Sequence, residues 1–185
     1  MIYHITTESN WNIAMERGFY SADSLAMEGY NMALSIKPDY VPALDNRGAL
    51  LARQGKYEQA LVDLNHALKI KPEYIAAYPN RALVFYELGQ NENALKDCYT
   101  YLKYKPQSHD TYNSISIAYQ KLGRYDESIV ALNKAIEINP QPIYFLNRSY
   151  SWNALGKMDE ARKDALFAKQ NGLNVPAGYA ARLGI

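Results

Sequence analysis

The chain has 185 residues, 48% hydrophobic and 21% charged, which suits one domain or one repeat array. Twenty basic residues against 19 acidic ones leave a formal charge of +1. That argues against a nucleic-acid binder, whose affinity needs clustered Lys and Arg to displace counterions. No run of about 18 apolar residues is available to cross a membrane. The opening MIYHITTESN lacks the basic start and apolar run of a secretory signal, so a cytoplasmic setting is expected. Cys98 stands alone, which excludes an internal disulfide and a cysteine-based zinc cluster.

In chain order, Ile2-Tyr3-His4-Ile5-Thr6 comes first and has strand character without an evident partner strand. Its unpaired N–H and C=O groups could recruit a second copy, or the segment is a frayed terminus. From there a period takes over. Prolines stand at 38, 72, 106 and 140, always 34 apart, and turn glycines at 55, 89, 123 and 156, spaced 34, 34 and 33. A period of this size means stacked units. The blocks are 1–40 (a degenerate N-terminal segment and first repeat, with Ser21 in place of the turn glycine), 41–74, 75–108, 109–142 and 143–172. Each full block predicts a helix, a turn at Gly, a second helix and Pro as stop signal.

In block 41–74, Tyr57, Ala60, Leu61, Leu64, Ala67 and Leu68 trace a helical stripe, repeated by Tyr125, Ser128, Ile129, Leu132, Ala135 and Ile136. Small residues pair across each block (Gly48 with Ala60, Ala82 with Ala94, Ser116 with Ser128, Ser149 with Ala161), which lets two antiparallel helices approach closely. Arg47, Arg81 and Arg148 share one column of the first helices. Asp63, Asp97 and Asp164 share one column of the second helices, each at the same separation from its arginine. Block 109–142 has Ile115 and Ala131 instead, so the charges come and go together and read as structural ion pairs between the helices of one block. In the last block Arg162 and Lys169 replace aliphatics that would face a further unit, which marks a terminal repeat. Residues 173–185 then read as a capping tail, with a helix from about Pro176 that offers Tyr179 and Leu183 as cover.

VPALDNRGALLARQGKYEQALVDLNHALKIKPEY, residues 41–74, closely resembles the tetratricopeptide repeat, and the likeness extends over about 41–170 and more loosely over 7–40. The resemblance implies an all-α, right-handed superhelical solenoid of about five helix–turn–helix repeats with a C-terminal capping helix. It also implies an inner groove lined by the first helix of each repeat. Separately, MIYHITTESNWNIAMERGFYSADSLAMEGY looks like the opening of a small bacterial domain family of unknown function. That family normally continues with a further strand, whereas here Tyr30-Asn31-Met32 runs into a repeat-type helix.

Catalytic chemistry finds little support. His4, His66 and His109 fall in different blocks with no close metal spacing, Cys98 takes a core column, and the glycines mark turns rather than a phosphate loop. No enzyme activity, cofactor or metal is expected. The groove columns are more informative. Asn12, Asn46, Asn80, Ser114 and Asn147 form a row of side chains, mostly amides, able to bond the N–H and C=O of an extended peptide. This looks like the asparagine ladder of some family members, although Asn also fits beside the Arg–Asp pairs. Asp45, Arg53, Tyr86, Asn113, Lys121 and Tyr150 flank that row, with Leu83, Ile117 and Gln120 among them. Asp45 and the scarcity of inner Lys speak against a clamp for acidic chaperone tails, and the groove suits a neutral or mixed-charge, partly apolar peptide. The leading expectation is a noncatalytic interaction module that binds a protein or peptide. The alternatives are a structural protein self-associating through its strand or solenoid ends and, last, a remnant enzyme around His4.

Overall fold

The computed structural model describes residues 22–185, and every regular element among them is an α-helix. In chain order these are α1 (Ala22–Ile36), α2 (Val41–Arg53), α3 (Tyr57–Ile70), α4 (Ala77–Glu87), α5 (Asn91–Tyr104), α6 (His109–Lys121), α7 (Tyr125–Ile138), α8 (Pro142–Ala154), α9 (Met158–Gln170) and α10 (Ala177–Leu183). The expected strand at residues 2–6, His4, and the first 21 residues of the N-terminal resemblance over 1–30 lie outside the described residues.

The period is written into the turns. Where α2, α4, α6 and α8 end, Gly55, Gly89, Gly123 and Gly156 take φ of 71–74°, a left-handed conformation that only glycine adopts without cost. At each turn the glycine N–H and the next residue's N–H reach back to two carbonyls of the helix just ended. Gly55 bonds Ala52 O and Lys56 bonds Leu51 O, and the pattern recurs at Gly123/Arg124 and Gly156/Lys157. This six-to-one closure satisfies carbonyls that a helix end would leave bare, and it starts the next helix at a fixed angle. Pro42 and Pro142 sit in the first turns of α2 and α8, where a missing N–H costs nothing.

The molecule divides into two compact units, residues up to Asn80 and residues from Arg81, and the division falls within α4. In the first unit Leu34, Val41, Ala43, Leu44 and Ala67 form one core cluster. Gly48 lies so close to the facing helix that an added Cβ would sit 2.7 Å from Leu64 Cγ and 3.3 Å from the Ala60 carbonyl. The small column is therefore a steric requirement there. In the second unit Leu95, Cys98, Leu102, Ile115, Ala118, Tyr119 and Ala131 pack together. Ser116, Ser128, Ser149 and Ala161 are fully buried at the close approaches.

The carboxyl end is closed by α10. Leu183 is fully buried against Ala161 and Ala165, a burial that contributes about 1.5–3 kcal/mol. Arg162, exposed on α9, donates from Nε to the Leu183 carbonyl at 2.6 Å. A guanidinium therefore satisfies a carbonyl at the C-terminus of α10, the end a cation suits.

Candidate functional site: the first-helix face and its polar columns

The three Arg–Asp columns are bidentate pairs. Arg47 Nε and Nη2 donate to Asp63 at 2.7 and 2.8 Å. Arg81 donates to Asp97 at 2.7 Å through both nitrogens, and Arg148 donates to Asp164 at 2.7 and 2.8 Å. The aspartates are buried and the arginines half-buried. Each pair joins the two helices flanking one turn. The pairs of Arg47 and Arg148 include a third member that the column pattern does not reveal. Arg47 Nη1 also donates to Asn31 Oδ1 at 2.9 Å, and Arg148 Nη1 to Asn133 Oδ1 at 2.6 Å. Both asparagines belong to the preceding block, so the arginine ties two successive repeats as well as two helices. The signal for them is a spacing that runs backwards. Asn31 and Asn65 precede Arg47 and Arg81 by equal intervals, and Asn133 precedes Arg148 by one position fewer.

Block 109–142 replaces the whole set. Ile115 and Ala131 are buried where the charges would be, and Tyr99 takes the asparagine's place in the preceding block. The Tyr99 and Tyr119 hydroxyls lie 2.9 Å apart, with the Arg124 guanidinium 4.6 Å from the Tyr119 ring centroid. Burial, then the neighbouring Tyr119, pushes the Tyr99 hydroxyl well above the ordinary phenol value.

The asparagine row requires a correction. Asn80 Nδ2 donates to Asp45 Oδ1 at 2.8 Å, and Asn147 Nδ2 donates to Asn113 Oδ1 at 2.8 Å. Two of the amides thus bond a side chain one repeat earlier, so the row is not an open ladder. Asp45, expected to face a ligand, is 4% exposed, and burial raises its carboxyl above the ordinary value against the lowering effect of the Asn80 hydrogen bond. Gln120 is engaged too, with Nε2 donating to the Asn147 carbonyl at 2.7 Å and to Ser151 Oγ at 2.8 Å. Geometry explains this: adjacent first helices run close enough for short amides to span them, and buried acceptors must be bonded. Ser114 turns back to the Asp110 carbonyl at 3.0 Å. Asn46 is exposed, and Asn12 lies outside the described residues.

Of the flanking residues, Arg53 donates to Asp23 at 3.0 Å, both exposed. The Lys121 ammonium lies 5.8 Å from the Tyr86 ring centroid. Tyr150 is partly covered by Tyr179 of α10, with ring centroids 4.6 Å apart, and burial raises its hydroxyl. Part of what remains open on this face of the second unit is apolar. Leu83 is 50% exposed. Ile117 and Tyr150, its counterparts one and two repeats later, are half-buried.

Cys98 and His109 are held in structural roles. Cys98 is buried, and burial, reinforced by Asp97, pushes its thiol up to about 12, the reverse of what a nucleophile needs. His109 opens α6 inside a hydrogen-bonded chain. Its Nδ1 lies 2.7 Å from the Tyr144 hydroxyl, which donates to Asp110 at 2.6 Å, while Asn139 Nδ2 lies 3.2 Å from Nε2. A tautomer with the proton on Nδ1 satisfies every member. Among the described residues no group of three or more His, Cys, Asp or Glu could hold a metal ion, and no helix is long and apolar enough to cross a membrane.

Family models now settle the class: a TPR repeat model matches residues 48–89 and a tetratricopeptide repeat model matches 109–142. These stretches are tetratricopeptide repeats. Among solved structures, a crystal structure of MamA is similar at a TM-score of 0.75 and 19% identity, covering 91% of this chain and 95% of that one. A MamA fragment from Desulfovibrio magneticus gives 0.72 at 19% identity over 86% and 89%. TTC0263, a thermophilic TPR protein in Thermus thermophilus, gives 0.65 at 17% identity over 94% and 92%. At these identities the likeness shows the fold, an all-α solenoid of helix pairs. No curated protein matches the chain. Tetratricopeptide repeats are of a class that serves as a scaffold for protein–protein interaction.

Proposed function

We propose that the chain is a noncatalytic interaction module that binds a partly apolar peptide or helix on the first-helix face of its second unit. The observation that carries this reading is Leu83, half exposed on α4 in line with Ile117 and Tyr150 at one-repeat spacing. A stacked repeat supplies such a row at regular intervals, and apolar side chains left open on a folded surface favour partners. Lys121 and Glu87 stand exposed at one end of this face and Asp110 at the other, so the rim charges are mixed in sign. Because Asn80, Asn113 and Asn147 are bonded within the chain, they act as ties that hold neighbouring first helices in register. Contact with a ligand falls to Leu83, Tyr86, Ile117 and Lys121.

The experiment compares capture from native lysate by the parent, by Leu83→Glu and by Val130→Glu, an exposed change on a second helix. A partner kept by the parent and Val130→Glu but lost by Leu83→Glu, with unchanged melting, supports the reading. A partner kept by all three overturns it.

A further inference from the structure

The groove among α1, α2 and α3 points to a second binding site, independent of the first-helix face. It encloses about 440 Å³ and is lined by Met27, Leu51, Lys56, Gln59 and Val62, with the Arg47–Asp63 pair beside them. Val62 is 68% exposed at the mouth and Met27 half-buried, while Leu51 forms a floor that is 7% exposed. What belongs there is visible in the second unit, where the same turn recurs with the same backbone. Lys56 N bonds Leu51 O at 2.9 Å, Arg124 N bonds Tyr119 O at 2.9 Å, and Lys157 N bonds Trp152 O at 2.9 Å. At the two later turns the first residue of each pair is an aromatic ring and the second is a cation lying over it. Arg124 is 4.6 Å from the Tyr119 centroid and Lys157 is 4.8 Å from that of Trp152. At the remaining turn the ring is Phe85, and Arg81 lies 5.5 Å from it.

Among these four turns, only that of the first unit has an aliphatic side chain at this place. Leu51 supplies a floor without a ring, and Lys56, with no ring of the described residues beneath it, is bonded through Nζ to Gln54 Oε1 at 3.0 Å. We propose that this groove receives an aromatic side chain from a partner protein, stacked on Leu51 between Met27 and Val62 and covered by the Lys56 ammonium. Charge complementarity selects the occupant, because the negative face of an aromatic ring attracts a cation while an aliphatic knob does not. The Arg47–Asp63–Asn31 set fixes the adjoining wall, so the hole is held open rather than collapsing.

The test uses the full chain with labelled methyl groups and N-acetyl-tryptophanamide as probe, followed by NMR. Saturable upfield shifts at the Leu51, Val62 and Met27 methyls are expected, with N-acetyl-leucinamide giving none. Lys56→Ala should weaken binding about threefold to tenfold. Leu51→Trp, which copies Trp152, should abolish it, and Val62→Glu, a change at an exposed position, gives the same answer should Leu51→Trp misfold. Absence of saturable shifts, or equal shifts from the leucine probe, overturns the proposal. So do ring-shifted methyls in the free protein that return to normal in Trp11→Leu, since the occupant would then be the chain's own.

Discussion

Blocks 109–142 and 143–172 solve one packing problem with opposite chemistry. In the later block Arg148 bridges Asp164 of its own repeat and Asn133 of the one before. In the earlier one Ile115 and Ala131 fill the same columns, and Tyr99 reaches Tyr119 in place of the amide. Both seams leave no buried charge alone. The difference teaches that the unit of substitution is the set. A buried bidentate pair is not intrinsically more stabilising than well-packed apolar groups of similar volume, but half a pair is costly. The tyrosine seam keeps one exposed cation, Arg124, against a ring, where the charged seam keeps an arginine inside the fold.

The sharpest way to break this comparison is to remove one partner. Asp164→Ala should lower stability by about 3 kcal/mol, towards the lower end for a buried pair because Arg148 keeps some exposure to water. Arg148→Ile/Asp164→Ala, which copies Ile115 and Ala131, should recover most of that loss. Urea denaturation of the three proteins decides it, and a double variant as unstable as the single one would show that the seams are not interchangeable. A smaller effect is expected from Tyr99→Phe, which removes the hydroxyl pair and costs about 0.5–1.5 kcal/mol. An unchanged denaturation midpoint would mean that the ring, rather than the hydrogen bond, holds that seam.

The smallest effect concerns a buried carboxyl with no cationic partner among the described residues. Asp45 has its carboxyl raised by burial, so folding favours its protonated form. Its contribution is fully present below the unfolded value and is lost as pH rises through the folded one. Asp45→Asn, which still offers Asn80 an acceptor, should therefore gain stability relative to the parent as pH increases from about 4 towards neutrality. Melting temperatures of both proteins across that range test the sign. A difference that is flat with pH would remove Asp45 from the account.

The repeat, the turns and the capping tail were legible in the sequence because each depends on atoms close along the chain. A glycine at positive φ closes its own helix, and a proline ends one. The Arg–Asp sets were legible for the same reason, since one helix, turn and helix of constant length fix their separation. Asn31 and Asn133 carried a nearly equal spacing, but it ran backwards into the preceding block and needed the stacking to give it meaning. What only the tertiary structure decided was occupancy. Asn46, Asn80 and Asn147 look alike in the row, yet Asn80 and Asn147 are bonded one repeat back while Asn46 is exposed. The exposure of Leu83 and the opening above Leu51 are of the same kind. Whether a polar atom is satisfied, or an apolar one covered, depends on side chains a whole repeat away. Sequence spacing places such residues in a column, and the packing between columns determines which of them is left for a partner.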